Sequence, residues 1–458
     1  MAIATINPTT GSVEKTFEAH SETEVESRIA AAAAAVVTLR STDFHQRASW
    51  MVATAELLES EVDETARILT LEMGKTLSSA KSEVLKCAKN MRFYAANAEK
   101  FLAEEPLADP SAVGASAARA IYQPLGVVLA VMPWNYPLWQ VIRFAAPALM
   151  AGNVGLLKHA SNVPQAALYL DTLFTRGGFP KGAFSTLLIG SAEVAKVIED
   201  KRVAAVTLTG SELAGSSVAS TAGAQIKKAV LELGGSDPFI VMPSADLAAA
   251  AATAVQSRTG NNGQSCISAK RFIVHADVYD EFRALFVERM GALRMGDPML
   301  DTTDIGPIAT EGGRSDLKEL VDDALASGAT ALVGGSQPEG PGWFYPPTVI
   351  EGITTGMRLY QEETFGPVAS LYRAADIDQA ITIANGTDFG LSSNVWTRDD
   401  AEIERFTREI QAGAVFINGM TVSYPELPFG GIKVSGYGRE LAAAGIREFC
   451  NLKTIWTA

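Results

Sequence analysis

The sequence predicts an α/β protein with two successive regions of parallel sheet. From Gly126 onward, continuous apolar runs rich in Val, Ile and Leu alternate with segments of helix length. Strands that are buried on both faces have this composition, and parallel strands need long crossovers between them. Polar motifs follow four of these runs, at the sheet edge where such folds bind ligands. We therefore expect a Rossmann-like first sheet and a second α/β region beyond Gly235.

Helices are expected ahead of the first sheet, over residues 20–105. Residues 28–40 and 47–71 carry apolar side chains at helical spacing, and we assign both segments a packing role. Residues 117–122 form a strand-like run that precedes the first buried strand. The strands expected in the first region are 127–131, 154–157, 184–189, 204–208 and 229–233. Those expected in the second region are 238–242, 271–274, 348–350, 368–372 and 415–417, followed by a C-terminal strand at 452–456.

The composition limits the class of protein. Of 458 residues, 47% are hydrophobic and 20% charged, as in a globular enzyme. The net charge of −14 argues against broad binding to nucleic acid or anionic membranes. No N-terminal stretch reads as a signal peptide, and no apolar run reaches the roughly 20 residues of a spanning helix. Three cysteines favour a reducing cytoplasm over a disulfide framework, and four scattered histidines argue against a metal site.

Cys266 and Glu232 together predict covalent chemistry on a carbonyl group. Cys266 ends the run Asn262-Gly263-Gln264-Ser265-Cys266, and Glu232 lies in Leu231-Glu232-Leu233-Gly234-Gly235. A thiol can attack a carbonyl carbon, and a carboxylate can activate water. The glycines and asparagines before the thiol favour a loop that enters a helix, whose dipole would stabilise a thiolate. Cys87 and Cys450 are interpreted as inert core residues.

Other strand ends carry residues with two interpretations each. Asn135 is either a turn residue or an amide donor to a developing oxyanion. Lys158 is either a surface charge or a ligand for phosphate or ribose. Gly210-Ser211, with Gly215, is either a plain turn or a phosphate-binding start of a helix. It lacks the G-x-G-x-x-G dinucleotide pattern, so the motif alone does not decide between them.

Arg143 is the only charged residue between Pro133 and Lys158. It follows Asn135 by eight residues on an expected helix, about two turns along one face. An isolated cation in an apolar segment indicates either a buried ion pair or a ligand for a carboxylate.

Together these residues resemble the aldehyde dehydrogenase superfamily. The resemblance runs from Asn7-Pro8-Thr9-Thr10-Gly11 to the end of the chain. The motifs that carry it are Pro133-Trp134-Asn135-Tyr136-Pro137, Leu231-Glu232-Leu233-Gly234-Gly235, Gly263-Gln264-Ser265-Cys266, Glu362-Glu363-Thr364-Phe365-Gly366-Pro367 and Pro428-Phe429-Gly430-Gly431. Five motifs in the family's order argue against a chance match.

The resemblance implies an aldehyde dehydrogenase-like fold of three parts. The cofactor-binding domain would comprise residues 1–112 and 126–231, and the catalytic domain residues 232–436. An oligomerisation element would comprise residues 113–125 and 437–458 and pair the first of these segments with the C-terminal strand. Exposed strand edges favour subunit pairing, so a homodimer or homotetramer is expected.

The resemblance also implies roles for the site residues. Cys266 would attack the aldehyde to form a thiohemiacetal, with Asn135 and the backbone N–H of Cys266 holding the oxyanion. Hydride would pass to the nicotinamide and leave a thioester, and Glu232 would activate the water that releases the acid. The residues expected around the cofactor are Trp134, Lys158, Ser161, Gly210, Ser211, Leu233, Glu363 and Phe365, of which Glu363 and Phe365 would hold the nicotinamide ribose and ring.

Ser161 predicts a preference for NADP over NAD. Many NAD-preferring relatives carry an acidic residue three positions after the lysine, where it bonds the ribose 2′-hydroxyl. Here that position is Ser161, which leaves room for a 2′-phosphate beside Lys158 without repulsion between like charges. NAD remains the less favoured alternative.

The substrate prediction follows from a narrower resemblance. Residues 139–144 and 157–164 resemble bacterial NADP-dependent succinate-semialdehyde dehydrogenases with a short N-terminus. Arg143 matches the position that binds the substrate carboxylate there, and Trp139 and Ser423 are further candidates for substrate contacts. Gly260 stands where other succinate-semialdehyde dehydrogenases have a second arginine, with Arg258 two positions earlier. No cysteine follows Cys266 directly, so the neighbouring-cysteine disulfide switch of some relatives is not expected.

Three alternatives remain open at this point. The chain could oxidise other aliphatic or aromatic aldehydes, with Tyr136, Trp139 and Tyr424 lining the pocket. It could transfer the acyl group to CoA, although Glu232 is present to activate water. It could also be a non-catalytic scaffold or binding protein, which would need none of Cys266, Glu232 and Asn135.

Overall fold

The computed structural model describes residues 3–458; Met1 and Ala2, the first residues of the expected cofactor-binding domain, lie outside the described residues. The helices are α1 (Glu22–Arg40), α2 (Phe44–Ser60), α3 (Val62–Met73), α4 (Leu77–Phe101), α5 (Trp139–Ala151), α6 (Pro164–Arg176), α7 (Val194–Glu199), α8 (Glu212–Ala224), α9 (Leu247–Thr259), α10 (Tyr279–Gly291), α11 (Glu311–Ala326), α12 (Arg358–Gln361), α13 (Ile377–Asn385), α14 (Asp400–Glu409) and α15 (Ala442–Glu448). The strands are β1 (Ile3–Asn7), β2 (Ser12–Phe17), β3 (Glu105–Pro106), β4 (Ala117–Pro124), β5 (Val127–Met132), β6 (Val154–His159), β7 (Phe184–Thr186), β8 (Val203–Thr209), β9 (Lys228–Glu232), β10 (Pro238–Val241), β11 (Arg271–His275), β12 (Thr330–Val333), β13 (Thr348–Glu351), β14 (Val368–Ala374), β15 (Asn394–Trp396), β16 (Phe416–Ile417), β17 (Gly436–Tyr437) and β18 (Cys450–Thr457).

The first sheet has the order β17-β9-β8-β5-β6-β7. All neighbours pair in parallel except β17, which runs antiparallel to β9. The chain builds outward from β5 in one direction through β6 and β7, and then returns to the other side of β5 with β8. Ligands bind at the carboxyl ends of the strands where the strand order reverses in this way.

The second sheet has the order β12-β13-β14-β11-β10-β15-β16, with β12 antiparallel at one edge and the other strands parallel. Its buried strands carry aromatic and branched side chains that pack against helices on the two faces. The predicted mixed α/β fold with two parallel-sheet regions is therefore confirmed.

Several details differ from the sequence prediction. The helix expected over residues 47–71 is two helices, α2 and α3, which meet at Glu61, because the chain leaves helical geometry there. The strand expected over residues 184–189 ends at Thr186. Two short strands of the second sheet, β12 and β15, were not predicted, because their short apolar runs lack the length that periodicity needs.

A small antiparallel sheet, β18-β4-β3, lies apart from the two large ones. Strand β18 pairs with β4 from Cys450 opposite Pro124 to Thr457 opposite Ala117. The pairing of the 113–125 segment with the C-terminal strand is present within the chain, and Leu452 and Trp456 project from it as exposed apolar side chains.

Candidate active site

Cys266 lies on a loop between α9 and β11 whose backbone is held by buried side chains. Asn261 and Asn262 both have a left-handed backbone, with φ of 58° and 56°. Asn262 donates its side-chain amide to the carbonyl oxygens of Gly74, at 2.8 Å, and Pro307, at 3.0 Å. Asn is among the few residues that adopt this conformation at low cost. These contacts therefore fix the backbone conformation of the loop that leads to Cys266.

Arg258 braces the same loop and does not reach toward a substrate. Its guanidinium is fully buried and donates to the carbonyl oxygens of Gly263 and, at 3.0 Å, of Ala269. Gly263 lies so close to Gly366 that an added Cβ would be 2.4 Å from the Gly366 carbonyl carbon. The loop with the thiol thus packs directly against the Glu362–Pro367 motif.

The expectation that Cys266 enters a helix was wrong. The residues after Cys266 form a turn and then β11, so Cys266 does not lie at the start of a helix. Burial instead raises the pKa of the Cys266 thiol to about 12, while the charges of Arg143 and Lys270 act in the opposite direction. The two cations thus offset only part of the destabilisation that burial imposes on the thiolate.

Asn135 lies beside the thiol loop, in the segment before α5. Its side-chain amide donates to the carbonyl oxygen of Gln264, at 3.2 Å, and its own carbonyl accepts from Asn261, at 2.9 Å. The expected position of Asn135 on the same helix as Arg143 was wrong, because α5 begins only at Trp139. Asn135 is 4% exposed and its side-chain oxygen has no partner among the described residues.

The segment around Asn135 is anchored by charged residues from α4 and from the turn before it. One oxygen of the Glu83 carboxylate accepts the backbone N–H groups of Leu138 and Trp139, at 2.8 and 3.0 Å. The other oxygen pairs with Lys75, which is fully buried. Free N–H groups at the start of a helix need such an acceptor. Glu83 therefore fixes where α5 begins and, with it, the position of Asn135.

Glu232 ends β9 and is enclosed by glycines. Its carboxylate is 2% exposed, and neither oxygen has a hydrogen-bond partner among residues 3–458. Burial raises its pKa well above the usual value; the negative charge of Glu440 adds to this effect and Arg143 opposes it. A Cβ on Gly430 would lie 2.7 Å from Glu232 Oε1, and one on Gly235 would lie 2.7 Å from the Cys266 carbonyl oxygen. The backbone three residues beyond the desolvated carboxylate thus packs against the thiol loop.

Arg143 forms a buried ion pair with Glu440. The two side chains are 2% and 5% exposed, and the guanidinium also stacks 4.5 Å from the centroid of the Phe429 ring. Of the two interpretations of Arg143, this geometry favours the ion pair. The charges of the two partners act on the pKa of the Glu232 carboxyl in opposite directions, Glu440 raising it and Arg143 lowering it.

The residues expected around the cofactor line the carboxyl edge of the first sheet and the facing loop. Trp134 and Phe365 meet edge to face, with ring centroids 5.7 Å apart. Glu363 accepts from the backbone of Gly235, at 3.1 Å, and pairs with Lys270, at 2.9 Å. The five motifs of the sequence therefore converge on one edge.

The start of α8 supplies the turn expected at Gly210-Ser211. Ser211 is the N-cap, and its hydroxyl accepts from Ala214. Helix and strand approach closely here, since a Cβ on Gly215 would be 2.6 Å from the Leu233 side chain. Free N–H groups at a helix start of this kind favour an anion.

Lys158 and Ser161 lie at the end of β6 and just beyond it. Lys158 is 8% exposed, and burial lowers its pKa, an effect that the charge of Glu193 opposes. Ser161 is partly exposed, and its carbonyl oxygen accepts from Ala4, at 3.1 Å. A buried ammonium beside an uncharged Ser161 fits an anionic group of a nucleotide.

Trp139 and Ser423 are brought together by a residue that the sequence did not single out. Lys86 of α4 donates to the Ser423 hydroxyl, at 2.7 Å, and its ammonium lies 4.0 Å from the centroid of the Trp139 ring.

Three more residues of the site were missed: Glu83, Lys270 and Glu440. A charged residue on the apolar face of α4 was the available signal for Lys86 and Glu83, whereas the roles of Lys270 and Glu440 depend on contacts between distant segments.

No helix within residues 3–458 is long and apolar enough to cross a bilayer. No group of three or more His, Cys, Asp or Glu side chains in that range is placed to hold a metal ion.

Comparison with known proteins agrees with the motifs. The Aldehyde dehydrogenase family profile matches residues 1–455. A relative from Mycobacterium tuberculosis, named Succinate-semialdehyde dehydrogenase [NADP(+)] 1, is 65% identical over 458 residues and is covered, like this chain, over 100% of its length. The succinic semialdehyde dehydrogenase of Streptococcus pyogenes, solved in complex with NADP+, is 37% identical with a TM-score of 0.96 over 99% of both chains. The betaine aldehyde dehydrogenase of Staphylococcus aureus, solved with NAD+, is 30% identical with a TM-score of 0.94 over 99% of this chain and 91% of that one.

Proposed function

Because this chain belongs to the aldehyde dehydrogenase family, we propose that it oxidises succinate semialdehyde to succinate with NADP as the oxidant. The observation that carries the chemistry is that Asn135 and Gly235 both lie against the Cys266 loop, with the unpartnered Glu232 carboxylate three residues before Gly235. The substrate and cofactor are supported by the relative that shares 65% of its residues over its full length.

The residues divide the chemistry between them. The Cys266 thiol gives its proton to water, and the thiolate sulfur then adds to the aldehyde carbon. The Asn135 amide, which in this structure donates to the backbone of the Cys266 loop, donates to the oxyanion. The nicotinamide ring of the bound cofactor supplies the hydride acceptor. Glu232 takes a proton from water, whose oxygen then attacks the thioester and releases the acid.

The environment of Glu232 suits a general base. A buried carboxylate without hydrogen-bond donors has a raised pKa and binds a proton more strongly than an exposed one. The charges of Arg143 and Arg439 oppose this shift. General bases are most effective when their pKa is close to the working pH.

The cofactor residues would hold NADP as the sequence analysis expects. Lys158 would bind a phosphate or ribose oxygen, and the uncharged Ser161 would tolerate a 2′-phosphate. Ser211, at the start of α8, would place free N–H groups toward the diphosphate. Glu363 and Phe365 would hold the nicotinamide ribose and ring, with Trp134, Gly210 and Leu233 completing the surface.

A second candidate is an aldehyde dehydrogenase for uncharged aldehydes. The observation in its favour is the Arg143–Glu440 ion pair, which occupies the arginine expected to bind a carboxylate. Trp139 and Tyr136 would then form an apolar pocket.

The test is NADPH formation at 340 nm by purified enzyme. We expect kcat/KM for succinate semialdehyde to exceed the values for hexanal and benzaldehyde, and NADP to be preferred to NAD. Turnover should not need CoA. A preference for the uncharged aldehydes would replace the proposed substrate while leaving the chemistry intact, and NADP binding without turnover of any aldehyde would favour a non-catalytic protein.

We further propose a cytoplasmic homodimer or homotetramer. Strand β18 is an edge of the small sheet, and its exposed Leu452 and Trp456 favour contact with a second copy. Sedimentation equilibrium would measure the assembly, and a monomer at micromolar concentration would contradict it.

A further inference from the structure

Lys270 is a buried cation whose ammonium contacts the backbone of the thiol residue. It comes just before β11 and is 1% exposed. A lysine ammonium has three protons to donate, and the structure gives it three acceptors. They are the carbonyl oxygens of Ser265, at 2.9 Å, and Cys266, at 2.6 Å, and the Glu363 carboxylate, at 2.9 Å. One side chain therefore binds the peptide units on both sides of Cys266.

The position of Lys270 is itself fixed by the second sheet. Its backbone N–H donates to the carbonyl oxygen of Asp237, at 3.0 Å, and its own carbonyl accepts from Ser370, at 2.9 Å. Asp237 precedes β10 and Ser370 lies in β14, and these are the two strands that flank β11. The partner carboxylate of Glu363 is fixed as well, because it accepts from the backbone of Gly235. The ammonium therefore imposes its position on the carbonyl groups that it binds.

The contact with the Ser265 carbonyl acts on the Cys266 N–H, because both groups belong to one peptide unit. This unit is planar and trans, so the N–H points away from the carbonyl oxygen and from the ammonium. Ser268 also donates its N–H to the Ser265 oxygen, at 3.2 Å, whereas the Cys266 N–H donates to no acceptor within residues 3–458. A cation on the carbonyl oxygen draws electron density from the amide nitrogen, which strengthens the free N–H as a donor.

We propose that Lys270 is a positioning residue that orients and polarises the Cys266 N–H for the oxyanion formed when the thiolate adds to a carbonyl group. This inference rests on the proposed function and on the expected role of that N–H, with the Asn135 amide, at the oxyanion. The Asn135 amide donates to the carbonyl oxygen of Gln264, one peptide unit before the one that Lys270 holds. Lys270 acts only through the backbone and contacts neither the aldehyde nor the cofactor in this role.

The test compares two reactions of the Cys266 thiol, which is only partly buried and so within reach of small reagents. With p-nitrophenyl acetate, the thiolate adds to the ester carbonyl to give an oxyanion, which expels p-nitrophenolate and leaves an S-acetyl thioester. With iodoacetamide, the thiolate displaces iodide from a saturated carbon, and no oxyanion forms. The ratio of the two rate constants, acylation over alkylation, therefore measures the oxyanion donors separately from the thiolate. Neither reaction needs NADP, so loss of the Lys270–Glu363 pair cannot act through the cofactor.

Lys270→Met keeps the approximate length of the side chain and removes the ammonium. We expect the ratio to fall about 5- to 50-fold, less than the roughly 10²- to 10³-fold effect of removing an oxyanion donor, because the N–H itself remains. Alkylation alone should also slow, since burial raises the pKa of the Cys266 thiol and the charge of Lys270 opposes that rise. This effect is common to both reactions and does not enter the ratio. Lys270→Arg keeps a cation and should restore part of the ratio.

Lys227→Met is the matched control. Lys227 also places its ammonium against two backbone carbonyl oxygens, those of Ile198 and Asp200. It lies just before β9, however, at the end of the strand opposite Glu232. Both rate constants should stay near the wild-type values in this variant. Asn135→Ala is the positive control, and it should lower the ratio at least as far as Lys270→Met does.

An unchanged ratio in Lys270→Met overturns the proposal, because equal losses in the two reactions mean that the lysine only braces the loop. If Lys270→Met does not fold, Lys270→Gln takes its place with an uncharged donor. Its ratio should lie below that of Lys270→Arg, and equal ratios in these two variants overturn the proposal. Failure of the proposed function gives a different result, which is wild-type enzyme that oxidises no aldehyde with NADP. The ratio of acylation to alkylation still decides the role of Lys270 in that case.

Discussion

Replacing Arg143 by methionine is expected to destabilise the protein by about 3–5 kcal/mol, the usual effect of removing one partner of a buried ion pair. The expected loss of stability lies in the upper part of that range because both partners are buried. The side chains of Arg143 and Glu440 are 2% and 5% exposed, so water cannot solvate the carboxylate that is left behind. The contact with the Phe429 ring adds about 0.5–2 kcal/mol, because the cation is desolvated.

The loss should depend on pH in a defined direction. Burial raises the pKa of Glu440 in the folded protein, and the charge and hydrogen bond of Arg143 oppose that shift. Without Arg143 the folded pKa rises further above the unfolded value. The folded state then binds more protons than the unfolded state, so stability falls as the pH rises between the two values. The difference between Arg143→Met and wild type should therefore be smaller at pH 5 than at pH 8.

The assay is urea unfolding followed by tryptophan fluorescence at both pH values, with two further variants. Arg143→Met combined with Glu440→Leu should recover most of the lost stability, since no unpaired charge remains. Arg398→Met removes an exposed pair with Asp246, whose side chains are 66% and 49% exposed, and should cost at most about 1 kcal/mol. A loss below about 1 kcal/mol in Arg143→Met, or a double variant no more stable than the single one, would refute the reasoning.

Three further substitutions test the site. Glu232→Gln should lower kcat by about 10²- to 10⁴-fold but leave a single-turnover burst of NADPH in stopped-flow absorbance, because the base is needed only after the thioester forms; loss of the burst would contradict this role. Asn135→Ala should lower kcat by about 10²- to 10³-fold while NADP affinity, measured by calorimetry, stays unchanged. Ser161→Glu should lower kcat/KM for NADP by about 10- to 100-fold through repulsion of the 2′-phosphate, with the value for NAD maintained; equal losses for both cofactors would point to misfolding.

The order of elements around the site could be read from the sequence because the signals are local. Strands 127–131 and 204–208 are continuous apolar runs, and each leads to a polar motif. The structure extends them only by one or two residues, as β5 and β8. Gly235, in the motif Leu231-Glu232-Leu233-Gly234-Gly235, lies so close to the thiol loop that a Cβ there would be 2.7 Å from the Cys266 carbonyl oxygen.

The local environment of the thiol could not be read in the same way. Glycine and asparagine before Cys266 predicted a helix start, yet those residues form a left-handed turn that leads to a strand. Both structures need the same residue types, because both need backbone freedom and side-chain amides. The contacts of Asn262 distinguish the left-handed turn from a helix start. They could not be read from the local sequence because its partners, Gly74 and Pro307, belong to other segments.

By itself the sequence determined the fold class and the enzyme family, because apolar periodicity and motif spacing are properties of neighbouring positions. Only the tertiary structure decided which charge meets which partner. Arg143 could have bound a substrate or an internal carboxylate until the fold placed Glu440 against it. Lys86 contacts Ser423, 337 positions away, only because folding brings the two segments together. Electrostatic roles depend on distance and on burial, and neither is a property of the order of residues along the chain.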